Sequence, residues 1–288
     1  MDGVLVCDKP AGLTSHDVVA RVRRLAGQRR VGHGGTLDPP ATGVLVLALG
    51  RATRLLPFLP TEPKRYLAEV AFGAETDTLD AAGTVTATAA ADGVDTERLR
   101  AAMAGFLGPQ EQVPPMVSAI KVAGERLYAK ARRGEEVERA PRPIVIHDLE
   151  LLGLAQGERP VATIAVVCSG GTYVRSLAAD LGRSLGTLAH LASLRRTAVG
   201  RFAEADAHTL EELAEPGRLE AAVLDPAAAM ASAPTRTLDA GEAAALANGR
   251  ALDPTGRPGP VAAVGPDGRL VAVVEDSAGR ARPRVVLA

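Results

Sequence analysis

Val44-Leu45-Val46-Leu47-Ala48-Leu49 is six apolar residues in a row, bounded by Gly43 and Gly50. A run that short, with no polar break and a glycine at each end, reads as a buried strand and not as a helix. It places the chain among folds with a sheet in their interior. Residues 4–7, 66–72, 83–88, 144–154 and 161–167 also read as strands. One helix is predicted after Thr14 or Ser15, either of which can cap it, with Asp17 in a first turn where the helix dipole favours an acid. Val18, Val22 and Leu25 share its apolar face. A second helix is predicted over residues 97–107, with Leu99, Met103 and Phe106 on one side. A third follows Ser169-Gly170-Gly171-Thr172 and carries Leu177, Leu181 and Leu185. Strands and helices alternate irregularly, which predicts an α+β fold with a mixed sheet and not strict βαβ winding.

The chain has 288 residues, 47% of them apolar, enough for a sizeable core. With 2% aromatic residues and no Trp, that core must be built from Ala, Val and Leu. Past about residue 226 the texture turns to Ala, Pro and Gly. There residues 238–248 read as a helix, and 261–264 and 270–274 flank a Gly265-Pro266-Asp267-Gly268 turn, a hairpin signal. The expected division is a main domain over residues 1–225 and a small one over 226–288. No run of 18 uncharged apolar residues suggests a membrane span, and the N-terminus is unlike a signal peptide. Cys7 and Cys168 are too few for a disulfide framework, so a reducing cytoplasm is expected. With no Cys/His cluster at ligand spacing, a zinc site is not expected.

Charge is unevenly placed. The net charge is −1. Residues 1–66 hold ten Lys/Arg against five Asp/Glu, while residues 204–288 hold eight against 13. Residues 109–143 are bracketed by Pro109, Pro114, Pro115, Pro141 and Pro143 and read as an excursion from the main body. Within it, residues 121–142 carry seven Lys/Arg, including Arg132 and Arg133, against four Glu. Basic segments of this kind suit a polyanion, although solvated helix faces look the same on charge alone.

The loop over residues 32–43 is the strongest local signal. Gly32, Gly34 and Gly35 allow positive φ and close approach of the backbone to a ligand. Pro39 restricts Asp38 to extended geometry and so aims its side chain. The Lys-Ser/Thr pair of a P-loop is missing, as is a GxGxxG pattern, so nucleotide cradling is not indicated.

Val31-Gly32-His33-Gly34-Gly35-Thr36-Leu37-Asp38-Pro39 with Ala41-Thr42-Gly43 resembles the catalytic motif of the bacterial tRNA pseudouridine synthases of the TruB family. Three further matches follow the family's order. They are Gly3-Val4-Leu5 with Asp8-Lys9-Pro10 and Thr14-Ser15; Lys64-Arg65-Tyr66 with Gly73 and Thr76-Asp77-Thr78; and Ser169-Gly170-Gly171-Thr172-Tyr173-Val174-Arg175 with Leu181-Gly182 and Leu194-Arg195-Arg196. The chain departs from the commonest pattern at Gly34, where Thr is usual, and at Pro40, where Leu is usual.

The resemblance implies a largely antiparallel central sheet with flanking helices, the pseudouridine synthase fold, followed by a small PUA-like β-rich domain. It implies isomerisation of uridine 55 in the T loop of tRNA to pseudouridine after the base is flipped out. Asp38 would be the catalytic carboxylate, kept anionic by Arg175. Tyr66 would stack on the uracil and assist a proton transfer at C5, and Tyr173 and Leu194 would line the same pocket. His33 would contact the displaced RNA, and Lys9 would support the pocket or a phosphate. The excursion with Arg132 and Arg133 would grip the T stem-loop. The reaction involves no redox change and no group donor, so no cofactor and no metal are expected. The partner is tRNA; a cytoplasmic monomer without an obligatory protein partner is expected. An RNA-binding folding factor is a second reading. A glycosidase is disfavoured, because no second acid lies in the Asp38 motif.

Overall fold

The computed structural model describes residues 1–117, 121–122, 125–126 and 137–287. In chain order the strands are β1 (Gly3–Lys9), β2 (Val31–His33), β3 (Thr42–Leu49), β4 (Lys64–Phe72), β5 (Ala74–Thr76), β6 (Val85–Thr88), β7 (Gly108–Gln112), β8 (Lys121–Val122), β9 (Glu125–Arg126), β10 (Arg142–Ala155), β11 (Val161–Cys168), β12 (Ala189–Val199), β13 (Phe202–Ala203), β14 (Thr235–Thr237), β15 (Val261–Val264), β16 (Leu270–Ser277) and β17 (Arg280–Val286). The longer helices are α1 (Ser15–Leu25), α2 (Thr96–Ala104) and α3 (Val174–Ser184). The chain forms two compact units, residues 1–61 with 198–288, and residues 62–197. Among the described residues no helix is long and apolar enough to cross a membrane.

In the first unit β3 pairs antiparallel with β1 along its whole length, from Gly3 opposite Leu49 to Lys9 opposite Gly43. The short β2 pairs with the last three residues of β3. Every residue from Val44 to Leu49 is fully buried, and the two faces of the strand serve two cores. Leu45, Leu47 and Leu49 pack with Val18, Val19 and Val22 of α1. Val44, Val46 and Ala48 pack with Ala262, Leu270, Val273 and Val285 of the C-terminal sheet. Apolar cover on both sides is why the run shows no alternation. Thr14 caps α1 and forms a reciprocal capping box with Asp17. Leu25, expected on the buried face, is the last helical residue and is exposed.

The C-terminal sheet runs β14-β15-β16-β17, with β14 parallel to β15 and the remaining pairs antiparallel. The predicted hairpin is β15 and β16. One side of this sheet builds a cluster of its own from Leu238, Leu246, Leu252, Val261 and Ala263. The other side joins the core of β1 and β3.

In the second unit β4, β11, β10 and β7 pair antiparallel in that order, and β12 flanks β4 on the other side. Along β11 the even positions Ala162, Ile164, Val166 and Cys168 are fully buried, the period-two pattern of a sheet with one covered face. α3 packs against β4 and α2.

Three expectations are corrected. The helix predicted to Leu107 stops at Ala104 because Gly105 caps it, leaving Phe106 and Leu107 outside. β12 is not among the predicted strands. The expected excursion over residues 109–143 is shorter at both ends, because Pro109 to Gln112 pair with Arg142 to Val145 as β7 and β10. Arg132 and Arg133 lie outside the described residues.

Candidate active site

The loop that carries Asp38 connects β2 to β3 and is pinned at each step by the backbone. Gly34 N–H donates to the Val46 carbonyl at 2.9 Å, extending the ladder of β2 on β3 by one bond. The Ser15 hydroxyl accepts from Leu37 N–H at 2.9 Å and donates to the Leu37 carbonyl at 3.2 Å. Ser15 therefore closes both backbone groups of the residue before Asp38, a different task from the helix cap that Thr14 supplies. Ala41 N–H donates to the Asp38 carbonyl at 3.1 Å, closing a turn through Pro39 and Pro40. The Pro39 carbonyl accepts from Gly12 N–H at 2.9 Å and from the Lys9 ammonium at 3.1 Å. Lys9 also donates to the Pro10 carbonyl at 2.9 Å, and it is fully buried. Its charge-assisted bonds thus clamp the two loops that flank the aspartate.

Asp38 itself is half-buried, as is His33. His33 meets His16 edge to face, with ring centroids 5.1 Å apart. Of the three loop glycines, Gly35 alone takes a positive φ, +120°. Gly34 does not, and a β-carbon there would meet nothing closer than the Leu56 methyl at 3.5 Å. A β-carbon at this position therefore fits the loop as it stands.

In the second unit Tyr66 sits on β4 opposite Val166 of β11 and is 8% exposed. Its hydroxyl is hydrogen-bonded to Arg196 of β12, which is 1% exposed. Burial works against the charge of Arg196, and the Tyr66 oxygen offsets part of that penalty. Leu194 lies two residues earlier on the same face of β12 and is half-buried. Lys64, two residues before Tyr66, is pushed below the usual lysine range by burial, with Arg196 adding repulsion and Glu62 and Cys168 opposing it. Burial pushes the Cys168 thiol up to about 11.

Arg175 lies in the first turn of α3 and is 3% exposed. Its guanidinium donates to the carbonyls of Thr78 at 2.9 Å and Val117 at 2.8 Å, and its Nε stands 3.8 Å from the Asp80 carboxylate. Asp80 is fixed in turn by Thr78 Oγ1 at 2.6 Å and Ala82 N–H at 3.0 Å. Tyr173, just before α3, is held by the amide of Gln112: Tyr173 N–H donates to Oε1 at 2.8 Å, and Nε2 donates to the Tyr173 carbonyl at 3.1 Å. Glu62 accepts from Gly170 N–H at 2.9 Å in the same Ser-Gly-Gly-Thr loop.

The structure therefore gathers Asp38, His33 and Lys9 within one unit, and Tyr66, Tyr173, Arg175 and Leu194 within the other. Sequence reasoning missed the supports: Asp80 beneath Arg175, Gln112 beneath Tyr173, and Arg196 against Tyr66. Asp80 follows Thr76-Asp77-Thr78 by two residues, and Arg196 ends the Leu194-Arg195-Arg196 motif. Gln112 carries no signal of its own.

Comparison with known proteins defines the class. Residues 23–174 match the family model for the TruB family pseudouridylate synthase N-terminal domain. Residues 175–227 match that for the tRNA pseudouridylate synthase B C-terminal domain, and 234–288 that for tRNA pseudouridine synthase II, C-terminal. A tRNA pseudouridine synthase B from Thermobifida fusca is 48% identical over 293 residues, covering 100% of this chain and 99% of the relative. One from Mycolicibacterium paratuberculosis is 49% identical over 286 residues, covering 99% and 97%. Among solved structures, a Cbf5-Nop10-Gar1 complex contains a chain that superposes with a TM-score of 0.74 at 27% identity, covering 99% of this chain and 85% of that one. The chain belongs to the TruB family of tRNA pseudouridine synthases. Its activity is accordingly that of an isomerase, converting uridine in tRNA to pseudouridine.

Proposed function

We propose that the chain isomerises uridine 55 in the T loop of tRNA, with Asp38 as the reacting carboxylate. The C1′–N1 bond breaks, the freed uracil turns, C1′ joins C5, the C5 proton leaves and N1 gains one. Atoms and electrons balance with no cofactor. The single observation that carries the reading is the fixed backbone around Asp38, closed by Ser15 at Leu37 and by Lys9 and Gly12 at Pro39. A carboxylate used in bond making gains from a backbone that does not reorganise during the reaction.

In this reading Arg175 keeps the reacting carboxylate ionised, and Tyr66 stacks on the flipped uracil and takes part in proton transfer at C5. Tyr173 and Leu194 border the base, His33 meets the displaced RNA, and Arg132 and Arg133 contact phosphates of the T stem. Lys9 acts through the loop, its ammonium being turned inward to two carbonyls. Residues 226–288 form the small PUA-like domain, and the enzyme works as a cytoplasmic monomer. The experiment uses T stem-loop transcripts carrying uridine or cytidine at position 55. Pseudouridine is expected with uridine alone and without release of free uracil. Modification of another uridine in the cytidine transcript, or free uracil in either, overturns the proposal.

A further inference from the structure

Helix α1 has two sides with different fates. Val18, Val19 and Val22 are buried against β3. Arg21, Arg24, Arg29 and Arg30, on the helix and in the loop after it, are all exposed. Arg23 shows what an internally used arginine looks like here: its Nη2 donates to the Val31 carbonyl at 2.8 Å and ties the helix end to β2. Among the described residues, the other four guanidiniums make no ion pair or hydrogen bond. The sole acid on the helix, Asp17, accepts from the Thr14 N–H and hydroxyl, and Arg21 one turn on adds only a weaker attraction to it. Cations in a last helical turn favour the helix dipole, and that accounts for Arg24. It does not account for Arg29 and Arg30, which lie beyond the helix.

The position of this surface relative to the catalytic loop is fixed by α1 itself. Ser15, the first helical residue, holds both backbone groups of Leu37, next to Asp38. At about 1.5 Å per residue, Arg21 lies about 9 Å along the helix axis from Ser15, and Arg24 about 13 Å. An RNA whose uridine reaches Asp38 carries backbone phosphates at such distances, and arginine is the side chain best suited to grip them.

We infer that Arg21, Arg24, Arg29 and Arg30 form a second phosphate-binding surface for the substrate RNA, in addition to the proposed phosphate contacts of Arg132 and Arg133. This inference rests on the proposal that Asp38 receives the uridine. The surface adds affinity and takes no part in bond rearrangement.

The test is the salt dependence of tRNA binding by the wild-type chain and by the quadruple variant R21A/R24A/R29A/R30A. Removing one arginine–phosphate pair lowers the slope of log K against log salt by about 0.7–0.9. With four pairs removed, a slope shallower by about 3 is expected, with binding at least ~10-fold weaker at low salt and kcat unchanged at saturating tRNA. The quadruple lysine variant, which keeps the charge, is expected to restore most of the slope. An unaltered slope in the alanine variant overturns the inference. So does a lysine variant as weak as the alanine one, because shape and not charge would then matter. If the wild-type chain modifies no uridine 55, the reading of Asp38 fails instead, and that result is separate from either slope.

Discussion

The Asp38 loop and the Arg175 region hold functional residues by opposite means. The loop is held through its own backbone: Lys9, Gly12 and Ser15, from the first 15 residues, and Ala41 engage backbone N–H and carbonyl groups on either side of the aspartate. Arg175 is fixed by segments remote in sequence, at Thr78, Asp80 and Val117, and Tyr173 by Gln112. The first arrangement resists small shifts of a turn. The second ties the packing of a helix to buried charge, so its failure spreads through the unit.

Arg175→Met breaks the comparison most severely. It leaves the Asp80 carboxylate buried without its cation and frees the carbonyls of Thr78 and Val117, a loss of about 3–5 kcal/mol. Urea unfolding is expected to show a lower midpoint with an unchanged slope. A midpoint near the wild-type value would show that Arg175 carries little of the packing. Lys9→Met removes the clamp of the Asp38 loop at a cost of about 2 kcal/mol, the scale of charge-assisted hydrogen bonds removed from carbonyl groups. Its expected signature is slower turnover at saturating tRNA, with tRNA affinity retained; equal turnover would remove Lys9 from the account.

Within the loop, two adjacent glycines sharpen the contrast. Gly35→Ala forces a β-carbon onto φ +120° and is expected to cost about 1 kcal/mol or more. Gly34→Ala, in open geometry, is expected to stay within about 0.5 kcal/mol by thermal unfolding. Equal costs would mean that positive φ is not what selects glycine there. The smallest effect concerns the thiols. Burial raises Cys7 to about 12 and Cys168 to about 11, so the native protein at pH 8 is expected to react far more slowly with a thiol reagent than the unfolded chain. Rapid reaction of either cysteine in the native state contradicts their burial.

The same contrast decides what was legible in the sequence. The Asp38 loop could be read because glycine, proline and a short apolar strand act locally, and the C-terminal hairpin because its turn residues sit between two apolar runs. β12 could not, since Leu194-Arg195-Arg196-Thr197 has no alternation that marks a strand. Arg196 is fully buried on it, where a charged residue is the last expected. Gln112 and Asp80 were invisible for a related reason: each matters through a partner brought near by the sheet, and composition does not announce partners. The change of texture near residue 226 was visible. That the C-terminal sheet shares a core with β1 and β3 was not, because the shared face includes Val4, Val44, Leu270 and Val273, far apart in the chain.

The carboxylate at position 38 is the point on which the account turns. Full-length tRNA is incubated with the wild-type chain or with Asp38→Asn, pseudouridine is mapped, and tRNA binding is measured in parallel. The account predicts pseudouridine at position 55 with the wild type, none above background with the variant, and the same tRNA affinity for both. Pseudouridine formed by the variant at a rate near the wild type's would contradict it.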